Sequence, residues 1–233
     1  MLVRTASDDR PRPKSLNDMG IASDANPVVS LSEFTYRSGK EIYGESEPAV
    51  YVYQVLKGAV RTYKLLPDGR RQISAFHVMG DIVGLENGEK HRFTAEAVVE
   101  TRVRLIRRPS LESAASADPV VFRDILGMTT RSLRHAENHL LLLGRKTAFE
   151  RVAAFLLEMD ERLTATGVLS LPMSRRDIAD YLGLTIETVS RAISELRRVG
   201  VLEFVSPTQR KIVILDRQRL AGFDCETRNP VRA

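Results

Sequence analysis

Residues Ser174–Val201 read SRRDIADYLGLTIETVSRAISELRRVGV. Ile178, Tyr181 and Leu182 recur at steps of three and four, which gives the first half of this stretch one apolar helical face. Gly183 supplies the permissive backbone of a sharp turn, and Thr185 is placed to cap a second helix. In that helix Val189, Ile193 and Leu196 form an inward stripe, leaving Glu187, Ser190, Arg191 and Ser194 facing outward. Two short helices split by a tight turn, the second with a polar outer face, are the layout of a helix-turn-helix that sets its second helix in a DNA major groove.

The outward side chains suit base reading. An arginine donates two hydrogen bonds to guanine O6 and N7, and a glutamate accepts from cytosine N4. Glu187 and Arg191 stand four residues apart on one face, so both reach one G·C pair from its two strands. The plainer reading of the pair alone is an exposed ion pair on a solvated helix.

The run Tyr181-Leu182-Gly183-Leu184-Thr185-Ile186-Glu187-Thr188-Val189-Ser190-Arg191 closely resembles the recognition motif of the Crp/Fnr transcription regulators. Its E-x-x-S-R core is most similar to that of the Fnr and FixK branches. The resemblance implies that Glu187, Ser190 and Arg191, with Ile186 beside them, contact bases of a TTGA-type half-site repeated as a palindrome. It further implies an activator that acts on RNA polymerase at microaerobic or anaerobic genes. The likeness extends, more weakly, from about residue 30 to about residue 215.

Composition agrees. A chain of 233 residues with 43% hydrophobic content is long enough for two modest domains with cores. The net charge of +5 favours an anionic partner, but basic residues barely outnumber acidic ones within Ser174–Arg217, so placement of charge matters more than its total. A single cysteine, Cys225, rules out an internal disulfide framework and a four-cysteine cluster from one chain. No apolar run approaches the roughly 20 residues of a membrane span, and no signal peptide precedes the first charges. The expected location is the cytoplasm, with no membrane contact.

Residues 1–27, polar with three prolines, read as a flexible arm. Its Arg4, Arg10, Arg12 and Lys14 are open to contact with DNA or polymerase, or to no role at all. Residues 28–35 form a short helical or extended lead-in. From Tyr36 to about Arg107 short β-type runs alternate with glycines at 39, 44, 58, 69, 80 and 84. They include Ala49–Leu56, Gly58–Tyr63 and Gln72–Phe76, with Pro67-Asp68-Gly69 as a hairpin turn. Evenly spaced antiparallel strands fit a small roll, assigned to residues 28–116. The resemblance makes this the family's sensor β-roll, with Gly80-Asp81-Ile82-Val83-Gly84 as its G-D-x-x-G turn.

In cyclic-AMP-binding members a glutamate follows that turn and an arginine heads an R-S/T-A run. Here the matching positions are Leu85 and Phe93, so a cyclic phosphate would lack its countercharge, although Glu86 and Arg92 lie one residue away. The roll holds no cysteine for iron and sulfur. A haem would have to use His77 or His91, which read more simply as polar surface or satisfied core groups. They lack the clustered ligands of a metal-dependent barrel enzyme. Neither cofactor, metal nor enzymatic activity is expected. The rival is a ligand-gated sensor whose roll binds a nucleotide or haem.

Residues 117–146 carry the longest helical pattern. Phe122, Leu126, Thr129, Leu133, Ala136, Leu140 and Leu143 step by four and three, a narrow seam sustained over about three heptads. It reads as a two-stranded coiled coil joining two copies of the chain, with Ile125 and Met128 covered by the roll; the plainer account is a helix docked on its own roll. Gly144 is the expected hinge. Residues 147–223 then form a winged helix-turn-helix domain. It comprises a helix over Thr147–Leu163 with Val152, Phe155, Leu156 and Met159 inward, a strand near Val168–Pro172, and a cap at Ser174. A hairpin wing of Val201–Val205 and Lys211–Leu215 and a short helix over 216–223 complete it. Ser174 stands where some FixK-type relatives carry an oxidisable cysteine, so no thiol switch is expected there. Ser174, Thr185, Thr188, Arg197, Arg198, Arg210 and Lys211 are the candidate phosphate contacts, which position a protein without reading sequence. Residues 224–233 read as a loose tail. The expected fold is α+β: an N-terminal antiparallel β-roll, a long dimerisation helix and a C-terminal winged helix-turn-helix.

Overall fold

The computed structural model describes residues 32–86, 88–163, 167–205 and 209–225. The N-terminal arm, the start of the lead-in, the tip of the wing at 206–208 and the tail from 226 lie outside the described residues, as does the side chain of Cys225.

Eight strands build the roll: β1 Ser32–Tyr36, β2 Glu41–Tyr43, β3 Tyr51–Lys57, β4 Ala59–Leu65, β5 Arg71–Val78, β6 Ile82–Val83, β7 Thr94–Ala97 and β8 Thr101–Arg107. They pair antiparallel in two four-stranded sheets, β1-β8-β3-β6 and β2-β7-β4-β5. Successive residues turn to opposite faces, as a pleated strand requires, so Val55, Val60, Ala95 and Val103 are buried inside the roll while Val52 and Ile106 are buried on its outer face. Gly58 joins β3 to β4 at φ +90°, where an added Cβ would lie 2.6 Å from the Glu100 carbonyl oxygen; no other residue fits. The turn at Pro67-Asp68-Gly69 closes the β4–β5 hairpin, with the Leu66 amide donating to the Arg70 carbonyl at 2.8 Å. Of the six punctuating glycines, Gly44 alone stays out of the left-handed region.

A helix not expected from the sequence follows, α1 at Arg108–Ala117. Only Leu111 of it is buried, so it carries no apolar period to be read. Asp118 then adopts an extended backbone ahead of Pro119, and its carboxylate caps the Val120 amide at 2.8 Å. The long helix α2 therefore spans Pro119–Arg145 and starts two residues later than the apolar pattern alone suggested. Its length is about 40 Å.

Val121, Ile125 and Met128 of α2 pack on Val52, Ile106 and Leu111, so the roll covers the off-seam residues. The seam itself is open. Phe122 is 56% exposed, Leu126 54%, Leu133 59% and Leu140 72%, and Thr129 and Ala136 are exposed with them. Leu143 departs from this pattern: it is half-buried against the C-terminal core, because the chain turns into that domain just beyond it. The helix runs through Gly144, and the break falls at Lys146 and Thr147 rather than at the glycine. Lys146 is extended, and Thr147 and Glu150 cap the next helix through the Thr147 amide and the Glu150 carboxylate at 2.6 Å.

That helix, α3 at Ala148–Leu163, buries Val152, Phe155, Leu156 and Met159 completely. It is followed by β9 Leu169–Ser170, α4 Arg175–Leu182, α5 Ile186–Arg198, β10 Leu202–Phe204, β11 Lys211–Ile214 and α6 Arg217–Cys225. The three strands form one sheet in the order β10-β11-β9. Asp216 caps α6 through the Arg219 amide, and Leu220 and Phe223 dock the helix on α3. The helix takes in Asp224 and Cys225, two residues that the sequence reading placed in the tail. The observed architecture is an antiparallel roll, a long connecting helix and a winged helix-turn-helix. Among the described residues, no helix is long and apolar enough to cross a membrane.

Candidate nucleic-acid interface

Three polar devices fix the geometry of the helix-turn-helix. The Ser174 hydroxyl accepts from the Asp177 amide at 3.2 Å while the Asp177 carboxylate accepts from the Ser174 amide at 2.9 Å, a reciprocal cap on α4. Gly183 ends α4 in the left-handed region at φ 64°, a conformation other residues adopt only under strain. The Thr185 hydroxyl then accepts from the Thr188 amide at 3.2 Å and starts α5. Beneath them Ile178, Tyr181, Leu182, Val189, Ile193 and Leu196 are all buried in one core.

The candidate reading face is the remainder. Glu187, Ser190, Arg191 and Ser194 are exposed along α5, directly opposite the buried stripe. Glu187 is held below the usual carboxylate range by its own amide and the Thr185 hydroxyl, with Arg191 and Arg176 adding attraction. It therefore stays an acceptor near neutral pH. Ile186 differs from its neighbours: it is half-buried against the domain core.

The candidate phosphate contacts divide into three groups. Arg210 and Lys211 are exposed where the wing enters β11. Arg197 donates to Glu203 at 2.8 Å and lies over the Phe204 ring, and Arg198 donates to Glu195 at 2.8 Å, so each is partly neutralised within the chain. Ser174, Thr185 and Thr188 hold their hydroxyls in the helix caps described above, with Thr185 and Thr188 3.0 Å from each other.

One further arginine, which the sequence pattern does not single out, lies beside them. Arg175 lies in a cleft formed with Leu171, Met173, Ser174, Gln209 and Arg210, between the start of α4 and the wing. Its Nη2 donates to the Gln209 carbonyl at 3.3 Å, and its Nη1 is buried without a hydrogen-bond partner among the described residues. Burial lowers its pKa. No local pattern could reveal this, because the wing that shelters Arg175 returns 34 residues later.

The roll shows how its polar groups are occupied. Leu85 packs with Val52 and Ile106 rather than facing a ligand. Glu86 turns to the Arg92 amide at 2.7 Å and to His91 at 3.6 Å, and His91 stacks on Tyr43 at 3.6 Å. Phe93 lies under Lys64 and Arg92. His77 meets the Thr62 hydroxyl at 3.2 Å on the far side of the roll, beside α3. Among the described residues no group of three or more His, Cys, Asp or Glu is placed to hold a metal.

Comparison with known proteins agrees with these features. A cyclic nucleotide-binding domain model matches residues 33–118, and a Crp-like helix-turn-helix domain model matches residues 150–223. The nitrogen fixation regulation protein FixK of Azorhizobium caulinodans is 41% identical over 224 residues, covering 94% of this chain and 86% of that protein. FixK of Rhizobium meliloti is 41% identical over 197 residues, covering 84% of this chain and 89% of that one. The solved structure of FixK2 from Bradyrhizobium japonicum superposes with a TM-score of 0.80 at 62% identity, covering 84% of this chain and 98% of that one. With a roll, a long helix and a DNA-reading helix in the order of these relatives, the chain belongs to the Crp/Fnr family of DNA-binding transcription regulators, in its FixK-like branch.

Proposed function

We propose that the chain acts as a homodimer that binds a TTGA-type palindrome and activates transcription through RNA polymerase in the cytoplasm, with no small-molecule effector. The observation that carries this reading is the row Glu187, Ser190, Arg191 exposed on a helix whose opposite face is fully buried. Such a helix is rigidly presented, and its side chains match the donors and acceptors of a G·C pair. Pairing through Phe122, Leu126, Thr129, Leu133, Ala136 and Leu140 would bury a seam that one chain leaves in water. Two-fold symmetry would then set the two reading helices in successive major grooves about 34 Å apart.

Effector independence is supported by the roll. Leu85 packs with Val52 and Ile106, and Glu86 faces His91 and accepts from the Arg92 amide. The two positions that the family resemblance assigns to ribose and phosphate, Leu85 and Phe93, therefore offer a ligand no charged side chain of their own. The relatives named as nitrogen fixation regulation proteins support control of genes of that kind. The test is binding of the purified, ligand-free protein to a TTGA palindrome and to a scrambled duplex at one salt concentration, with and without cyclic AMP. Tight, selective binding unaffected by the nucleotide is expected. Selective binding that appears only on adding the nucleotide would contradict effector independence.

A further inference from the structure

A buried charge cluster ties the roll directly to the first helix of the DNA-reading motif. Arg61 on β4 donates from Nη1 to Asp177 Oδ1 at 2.8 Å, and its Nη2 pairs with Glu96. Arg71 on β5 donates to the same Asp177 oxygen at 2.7 Å and to Asp180 through Nε at 2.9 Å and Nη2 at 2.7 Å. Asp177 is only 4% exposed, and its second oxygen is taken by the Ser174 amide and hydroxyl. Burial pushes the Asp177 carboxyl up, but Ser174, Arg61 and Arg71 outweigh it and keep the group ionised. The carboxylate that caps α4 is thus the one that two roll arginines hold.

Neighbouring contacts close the same joint. Arg162 of α3 reaches Asp81 at 2.6 Å and the Phe76 carbonyl at 2.9 Å. One turn on from Asp177, His139 of α2 stacks on Tyr181 at 4.0 Å. Helices α4 and α5 share one core and a short turn, so they move as one body. Whatever fixes α4 against the roll therefore fixes α5.

We propose that Arg61 and Arg71 are positioning residues for DNA recognition: by holding Asp177 and Asp180 they set the angle of α5 relative to the dimer helix, and with it the half-site spacing the protein accepts. The inference rests on the dimeric palindrome-reading function proposed above. In a two-fold dimer the separation of the reading helices must match the separation of the half-sites, so a change of angle at each joint is read as a change of preferred spacing. The backbone break at Lys146 and Thr147 leaves that angle to side-chain contacts. An ion pair with a purely structural role would lower stability or affinity alike on every site. A positioning pair changes the ratio between sites that differ only in spacing.

The experiment measures binding of the full-length protein at one salt concentration to TTGA palindromes of matched spacing and of spacings one base pair longer and shorter, with a scrambled duplex as reference. The wild type should prefer the matched spacing by about tenfold or more, the scale of one misplaced base pair. Arg71→Gln and the double change Arg61→Gln with Arg71→Gln should bring that ratio to within about twofold while TTGA is still preferred over the scrambled duplex. The exchange Arg71→Asp with Asp180→Arg, which keeps opposite charges across the joint, should restore part of the ratio and guards against a single variant that fails to fold. Folded variants that keep the wild-type spacing ratio would overturn the inference alone. A wild type that favours no palindrome over the scrambled duplex would overturn the parent function, and the inference with it.

Discussion

Arg151 donates from Nη1 to the Leu182 carbonyl at 3.0 Å, joining the first turn of α3 to the C-terminus of α4. Its Nη2 and Nε also reach the carbonyls of Leu143 at 2.8 Å and Lys146 at 2.9 Å, at the end of α2. One guanidinium thus satisfies carbonyls at two helix ends that have no intrahelical donor. Arg151→Ala should destabilise the chain by about 2–3 kcal/mol, because it strips charged donors from half-buried acceptors. A denaturant melt checks this, and Arg151→Lys should recover only part of the loss since a point charge cannot serve three acceptors in fork geometry.

Phosphate contacts should separate by their partners within the chain. Arg210→Ala should weaken binding to all duplexes alike and lower the salt slope by about one, because its side chain is exposed at the wing. Arg197→Ala should change the slope less, since Glu203 already holds that side chain. Titrations of affinity against salt for both variants decide the order.

The open seam on α2 carries its own test. Leu133→Asp places a charge at a site 59% exposed in the single chain, so the fold should survive. In a coiled coil the same charge would be buried without a partner. Sedimentation should show monomers, and palindrome binding should fall to the level of a scrambled duplex. A dimer that persists in Leu133→Asp would place the interface elsewhere.

Acid should loosen the joint between roll and reading domain. Burial pushes His77 down from 6.5 to about 4, with Arg162 and His135 lowering it further and Asp81 opposing them. The unfolded chain takes up the proton near pH 6.5 and the folded chain only near pH 4. The contribution is therefore fully present above about pH 6.5 and lost as pH falls toward 4, at up to about 1.4 kcal/mol per pH unit. His139, lowered chiefly by burial against Tyr181, acts in the same direction. Melting temperature should fall across this window, and His77→Gln, which keeps a partner for Thr62, should flatten the slope.

What the sequence disclosed follows the range of the contacts. The helix-turn-helix was legible because Ile178, Tyr181, Leu182, Val189, Ile193 and Leu196 bury one another within a few turns, and the period appears in the string. The division of α2 was legible too: Ile125 and Met128 pack on the roll while Leu126 and Leu133 stay outside. Helix α1 was not, since Leu111 is its one buried residue. The joint was invisible for a different reason. Arg61 and Asp177 are 116 residues apart, and nothing in the local pattern of either marks the other as its partner. The boundary between residues 146 and 147 was legible, but the hinge expected at Gly144 lies two residues before the break, because the helix continues through the glycine to the cap formed by Thr147 and Glu150.

The most direct measurement concerns Arg191. Wild-type protein and Arg191→Ala are compared on the TTGA palindrome, on the same site with its guanine replaced, and on a scrambled duplex, all at one salt concentration. If α5 reads the guanine through Arg191, the variant should lose about 1–3 kcal/mol on the intact site and discriminate little against the replaced base. An Arg191→Ala protein that keeps the wild-type ratio between the intact and altered sites would contradict the account, and the outward row of α5 would no longer be the reading face.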